Sequence, residues 1–251
     1  MASKFYVVWS GRETGIFTDW NTCKKHVDGF AGARYKSFLT REEAEAAFSG
    51  SKPSVAAGRG SAASGAKIKT YSAAEVNALP EQVKIFTDGG CEPNPGEAGS
   101  GVAVYQDNKL RELWYGLYNA MGTNNTAELN ALHQGLLLAR DETANGKTAA
   151  VFSDSQYSIQ CVVQWALGWE KAGWKKKSGE IKNLELIKDI YTLYQTLKNK
   201  VQVLHVNGHV GVQGNELADR MSILAIQSRE TDFALYREPL DIAAILATRA
   251  G

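Results

Sequence analysis

Four acidic residues stand out for the company they keep. Asp88 and Asp154 each close an apolar, strand-like run, in VKIFTD and AAVFSD, while Glu128 and Asp219 fall within the first turn or so of helical patterns. Singly, each has a structural explanation. Asp is common in the turn after a strand, Glu128 could complete a capping box begun at Asn125, and an acid near a helix N-terminus suits the helix dipole. Together, however, they occupy TDGGCEPNPG (87–96), TNNTAEL (123–129), SDSQY (153–157) and HVGVQGNELAD (209–219), in which Asn, Gln, Gly or Ser accompanies each acid. Turns and caps alone do not require such amides, so the four segments are candidates for one polar site. His209 lies ten residues before Asp219, flanked by Gly208, Gly211 and Gly214. That composition predicts a mobile loop around His209.

The surrounding pattern supplies elements to hold these residues. Strand-like runs are expected at 83–87, 101–106 and 110–118, followed by a helical pattern at 126–140. A buried-type strand at 149–153 leads into helical stretches at 156–167 and 184–198, then a strand at 201–206 and a helix from about Asn215. Strands first, then alternation of strand and helix, predict an α/β unit with a mixed sheet and helices packed on it. No internal repeat is visible. Ahead of this unit, 5–10, 15–19 and 33–38 read as strands, with a short helix at 21–27 and a capping box at Thr40 and Glu43 opening another over 40–48. Between the two lies SGSKPSVAAGRGSAASGA (49–66), in which Gly, Ser, Ala and Pro make up 15 of 18 residues. With so little apolar bulk it reads as a flexible linker whose ends lie roughly 23 Å apart.

The four acidic segments, in this order, resemble the type 1 ribonucleases H over about residues 82–227. The resemblance implies a ribonuclease H-like five-stranded mixed sheet with flanking helices, on which Asp88, Glu128, Asp154 and Asp219 hold two Mg2+ ions. Mn2+ is an alternative ion. Chemistry supports the transfer, because Mg2+ takes hard oxygen ligands and keeps several waters, so carboxylates without Cys or multiple His form the expected set. Two such ions about 4 Å apart neutralise a phosphodiester and generate hydroxide near neutral pH. The implied activity is endonucleolytic hydrolysis of the RNA strand of RNA/DNA hybrids, giving 5'-phosphate and 3'-hydroxyl ends. His209 matches the family's flexible-loop histidine, with roles in proton transfer and product departure. Glu216 matches a further position near the metals.

The same resemblance assigns nucleic-acid contacts. Asn94, Asn124, Asn125 and Gln156 match positions that contact base edges and sugars of both strands, and Cys91 matches a residue whose backbone meets the RNA. The stretch 165–182 carries five Lys against two Glu with three interleaved Trp, and it looks like the family's basic protrusion. Tyr157 and Trp165 match the channel for the DNA strand. Thr123 and Asn183 match a phosphate pocket in which Met121 stands where some relatives carry Arg. Residues 4–38 hold six Lys or Arg and three acids, and FYVVWSGRETGIFTDW with ARYKSF resembles the small α+β hybrid-binding domain that precedes many type 1 enzymes. Tyr6, Trp20, Tyr35 and Lys36 fall on its contact positions, while Phe5, Phe17 and Phe38 are expected to pack inside. A second basic position after Lys36 is Ser37. The organisation that follows is 1–48 hybrid-binding, 49–81 flexible linker, 82–227 catalytic, and 228–251 an extension whose Ile242, Ile245 and Leu246 suggest a helix packed on the nuclease.

Composition is compatible with this reading. The chain has 251 residues, 28 Lys and Arg against 27 Asp and Glu, and 44% hydrophobic residues, which is ordinary for globular domains and excludes a uniformly basic coat. No run approaches a membrane span and the start lacks a signal-peptide core, so the expectation is a cytoplasmic protein that binds an RNA/DNA hybrid, no membrane and no obligate protein partner. Three cysteines without CxxC spacing argue against a disulfide framework or a thiolate zinc site. Two alternatives remain: a binding protein with an inactive nuclease fold, disfavoured by the presence of all four acids, and a polynucleotidyl transferase such as an integrase, disfavoured by the small domain and the basic protrusion.

Overall fold

The computed structural model describes residues 5–28, 30, 34–38, 40, 41, 44, 45, 48, 68–176, 179–208 and 211–250. The chain divides into two compact units, Met1–Ala63 and Ser64–Gly251. In the first, β1 (Phe5–Ser10) is central to a three-stranded antiparallel sheet, with β2 (Gly15–Phe17) on one side and β3 (Arg34–Phe38) on the other. Helix α1 (Trp20–Val27) is capped by Asp19, whose side chain accepts from the Thr22 amide at 2.9 Å. The buried cluster is Val8, Cys23 and Val27, with Tyr6 and Phe17 against it. The core is therefore chiefly aliphatic. Of the three phenylalanines expected inside, Phe17 packs on this cluster and stacks on His26 at 4.8 Å. In the stretch 40–48, Arg41, Ala44, Glu45 and Phe48 are helical and Ala44 is buried; Glu43, the expected capping partner of Thr40, lies outside the described residues.

The second unit is built on a seven-stranded mixed sheet. An antiparallel meander of β5 (Val83–Glu92), β6 (Gly96–Gln106) and β7 (Lys109–Gly122) continues in parallel through β8 (Ala149–Ser153) and β9 (Val201–Val206). These five are the strands expected from the sequence. Two short edge strands extend them: β4 (Thr70–Tyr71), parallel to β9, and β10 (Ala234–Leu235), antiparallel to β7. β4 and the following α2 (Ala73–Ala78) fall in the stretch 49–81 read as linker. The difference has a physical cause. Ser72 and Glu75 form a complete capping box, and Val76 is buried in a core shared with Phe86 and Leu217. The glycine- and serine-rich part, 49–66, lies outside the described residues.

Both faces of the central strands are buried, as parallel strands flanked by helices require. Alternation sorts their side chains. Ile85 and Val151 face one core, packed with Leu132 and Leu136 of α3 (Asn124–Ala144) and Ile187 and Ile190 of α6 (Leu184–Leu197). Phe86 and Phe152 face the other, against Leu217 and Met221 of α7 (Gln213–Ser228) and Ile245 of α8 (Ile242–Leu246). Between β8 and α6, α4 (Gln156–Ile159) runs through a π-helical turn at Gln160–Trp165 into α5 (Ala166–Lys171). Among the described residues, no helix is long and apolar enough to cross a membrane.

Candidate active site

Strand register places the first two acids together. Thr87 pairs with Ser153 across the parallel β5–β8 ladder, and the Thr87 hydroxyl donates to the Phe152 carbonyl at 3.1 Å. The next residue on each chain is Asp88 and Asp154, and parity turns both toward α7. Glu128 comes from the first turn or so of α3, which approaches β5 so closely that a Cβ on Gly89 would lie 2.2 Å from the backbone of Ala127 and Glu128. Only glycine fits there, and the close approach brings Glu128 to the strand ends. Carboxylate oxygens of Asp88, Glu128 and Asp154 all lie within 4.8 Å of one another, a spacing that one metal ion could bridge. Asp219, on α7, lines the same cleft, but its carboxylate is engaged by the Arg220 guanidinium.

The acids are held from behind by neutral donors. Ser222 donates to Asp88 Oδ2 at 3.1 Å, and Asn215 Nδ2 donates to Asp154 Oδ2 at 3.1 Å. His205, buried on β9, places Nε2 3.0 Å from the Asp154 main-chain carbonyl. Burial, followed by the charges of Asp154 and Asp219, pushes the Asp88 carboxyl well above the usual range. Burial, followed by the charges of Asp88 and Asp154, does the same to Glu128, whose Oε2 is enclosed without a hydrogen-bond partner. This crowding of carboxyls is unfavourable unless a proton or a cation neutralises it, and an all-oxygen donor set suits a hard divalent ion.

Residues 80–227 match the family described as RNase H, and residues 4–48 match the one described as Ribonuclease H1 N-terminal domain. The chain belongs to the ribonuclease H family. Ribonuclease H1 of Mus musculus is 31% identical over 254 aligned positions, covering 87% of each chain. Ribonuclease H of Pseudomonas putida is 36% identical over 145 positions, covering 57% of this chain and 93% of its own. Among solved structures, LC9-RNase H1, a type 1 RNase H with the type 2 active-site motif, superimposes with a TM-score of 0.51 at 22% identity, covering 67% of this chain and 86% of that one. The fold expectation is borne out, with the two short edge strands added, and the chain is a ribonuclease H enzyme.

Around the acids of this ribonuclease H, the structure gathers most of the expected nucleic-acid residues into two neighbourhoods. Cys91 and Asn124 line the acidic cleft, and the Asn124 amide donates to Asn94 Oδ1 at 3.3 Å. Thr123 caps α3, its hydroxyl 2.8 Å from that of Thr126, which in turn donates to Asn183 Oδ1 at 3.1 Å. Thr123 and Asn183 therefore meet through Thr126, which the sequence did not single out, while Met121 is exposed beside them. Asn125, Tyr157, Trp165 and Lys182 line a second groove in which Tyr157 and Trp165 meet edge to face at 6.3 Å. The π-helical turn ends at Trp165, and such turns recur at functional positions. Gln156 opens α4 and is exposed. His209 lies outside the described residues.

In the N-terminal unit, Tyr6, Trp20 and Tyr35 form a continuous aromatic cluster, with centroids 5.5 Å apart for the first pair and 5.8 Å for the second. Trp20 and Tyr35 are exposed, and Lys36 on the same strand as Tyr35 extends over Phe38. Sequence reasoning missed three groups at the acids: Ser222, His205 and Arg220. Asn215, expected only as the start of a helix, and Glu216, placed near the metals by the resemblance, both lie in the first turn of α7, and Glu216 accepts from the Gly211 amide at 3.0 Å. The signal for Asn215 and Ser222 was helical spacing from Asp219, four residues before and three after, which leaves all three near one face.

Proposed function

We propose that this ribonuclease H is an endonuclease that hydrolyses the RNA strand of RNA/DNA hybrids, using two Mg2+ ions and leaving 5'-phosphate and 3'-hydroxyl ends. The observation that carries the reading is the convergence of Asp88, Glu128 and Asp154 at the ends of β5 and β8, with Asp219 lining the same cleft. The enclosed Glu128 Oε2 and the raised Asp88 and Glu128 carboxyls fit a site whose charge a bound cation would balance. Bound divalent ions would neutralise the phosphodiester, lower the pKa of an attacking water and stabilise the leaving 3'-oxygen.

The chain's own residues do the rest. Asp88, Glu128, Asp154 and Asp219 are the ligands in this reading, and Ser222 and Asn215 hold two of them in place through charge-assisted hydrogen bonds. Asn94, Asn124, Asn125 and Gln156 offer donors and acceptors to a wide minor groove, where the 2'-hydroxyl distinguishes RNA from DNA. Tyr157, Trp165 and the lysines beside them favour an anionic strand with sugar or base faces to pack on. His209 moves a proton during departure of the product. The small domain adds a second hybrid contact through Tyr6, Trp20, Tyr35 and Lys36.

The test is cleavage of matched RNA/DNA, RNA/RNA and DNA/DNA duplexes with Mg2+ and with EDTA. Cutting confined to RNA/DNA and abolished by EDTA is expected. Equal cutting of RNA/RNA would overturn the substrate assignment.

A further inference from the structure

The extension after residue 227 lies beyond the matched catalytic region, yet it folds back onto it. Ala234 and Leu235 pair with Tyr115 and Trp114, and Phe233 stacks on Trp114 with centroids 5.4 Å apart. Asp241 caps α8, Ile245 is buried, and Arg220 Nη2 donates to the Leu246 carbonyl. The Thr248 hydroxyl then closes on the Ile245 carbonyl at 2.7 Å. The chain is anchored up to Thr248, so Arg249 leaves from a fixed point. Its guanidinium donates to Glu92 at the end of β5, and both residues line the cleft that holds Asp88, Glu128 and Asp154.

The charges of that cleft are unbalanced. Besides the four acids it is lined by Glu92 and Glu216, and its cations among the described residues are Arg220 and Arg249. Arg220 is committed: its side chain is only 14% exposed and bonds Asp219 and Leu246. Arg249 is not. Its side chain is 64% exposed and its partner Glu92 is 61% exposed, a pair that adds little stability and exchanges readily. A guanidinium fork matches phosphate oxygens as well as it matches a carboxylate.

We infer that Arg249 is a substrate-binding residue, whose guanidinium leaves Glu92 to take a backbone phosphate of the strand lying along the Cys91–Glu92 end of β5. The C-terminal extension thus supplies part of the wall of the catalytic cleft. This inference rests on the proposed reading of the cleft as the hybrid-cleaving site.

Steady-state cleavage of an RNA/DNA hybrid by the full chain, at salt from about 50 to about 200 mM, tests it. Arg249→Ala should raise KM roughly threefold to tenfold at the lowest salt, leave kcat within about twofold, and reduce the slope of log(kcat/KM) against log salt by about one. Arg249→Lys should recover most of the loss, because it keeps the charge. Arg249→Ala combined with Glu92→Gln should remain weakened with the reduced slope. Restoration of parent behaviour in that double variant would mean that Arg249 only neutralises Glu92, and would overturn the inference. So would an unchanged slope, or faster cleavage by Arg249→Ala, which would mark the extension as an occluding strap. Failure of the parent chain itself to cut hybrids would instead sink the reading of the cleft on which the inference stands.

Discussion

His205 joins β4 to the acidic site: its Nε2 lies 3.0 Å from the main-chain carbonyl of Asp154. A carbonyl only accepts, so Nε2 carries the hydrogen, and Nδ1 lies within hydrogen-bond distance, 2.8 Å, of the Thr70 hydroxyl. One buried ring therefore links β4, at the end of the connecting segment, to the residue that presents a carboxylate to the cleft.

His205→Ala should strand the Asp154 carbonyl and let the loop after β8 shift. The expected cost is about 1–3 kcal/mol of stability by chemical denaturation, with kcat reduced roughly tenfold and hybrid KM little changed. His205→Gln, which can donate from a similar position, should recover part of kcat. Parent-like kcat in His205→Ala would show that Asp154 needs no such support.

Asp154→Asn should abolish cleavage while hybrid binding survives, because the amide keeps the shape and removes one charge from the ligand set. It should also make the metal-free protein more stable, since it removes one of the charges that add to burial in raising Asp88 and Glu128. Full activity in Mg2+ would remove Asp154 from the ligands. His209→Ala, by contrast, should leave slow residual turnover.

The raised Asp88 and Glu128 carboxyls carry a pH signature. Unfolded, both ionise near pH 4. Between there and their higher folded values the folded state binds more protons, so these two groups make the metal-free protein less stable as pH rises. A bound cation takes the proton's place. Mg2+ should therefore raise Tm more at about pH 8 than at about pH 5.5, and its binding should release protons, seen by calorimetry in buffers of different ionisation enthalpy. Equal Tm gains at both pH values, with no proton release, would count against a metal site at these residues.

Two hybrid contacts carried by one chain, as proposed above, would make the second contact intramolecular, at up to about millimolar effective concentration. Trp20→Ala with Lys36→Ala should weaken binding and reduce successive cuts per encounter on long hybrids, more so at low salt. Hybrids too short to engage both units should be cut as before. Parent-like behaviour on long hybrids under single-encounter conditions would give the small domain another role.

The acids were legible because each sits where a local pattern changes, at a strand end or a helix start, and four such places carried amides as well. Alternation within VKIFTD and AAVFSD even fixes the shared face of Asp88 and Asp154. What the sequence concealed depends on tertiary pairing. Thr70 and Tyr71 become a strand only because β9 offers an open edge, and SAAEVNAL reads as a continuation of the alanine-rich linker although its capping box was visible at Ser72 and Glu75. His205 reads as an ordinary packed residue, and its two partners come from segments 51 and 135 residues away. Arg249 meets Glu92 across 157 residues, a contact that no local pattern encodes.

The most direct measurement is the chemistry of the ends produced from an RNA/DNA hybrid labelled on either strand. Cutting of the RNA strand alone, dependent on Mg2+, with 5'-phosphate and 3'-hydroxyl termini, is the predicted result. Cleavage that persists in EDTA and leaves 2',3'-cyclic phosphates would show that the RNA's own 2'-hydroxyl attacks, and would contradict a carboxylate-held metal site built from Asp88, Glu128, Asp154 and Asp219.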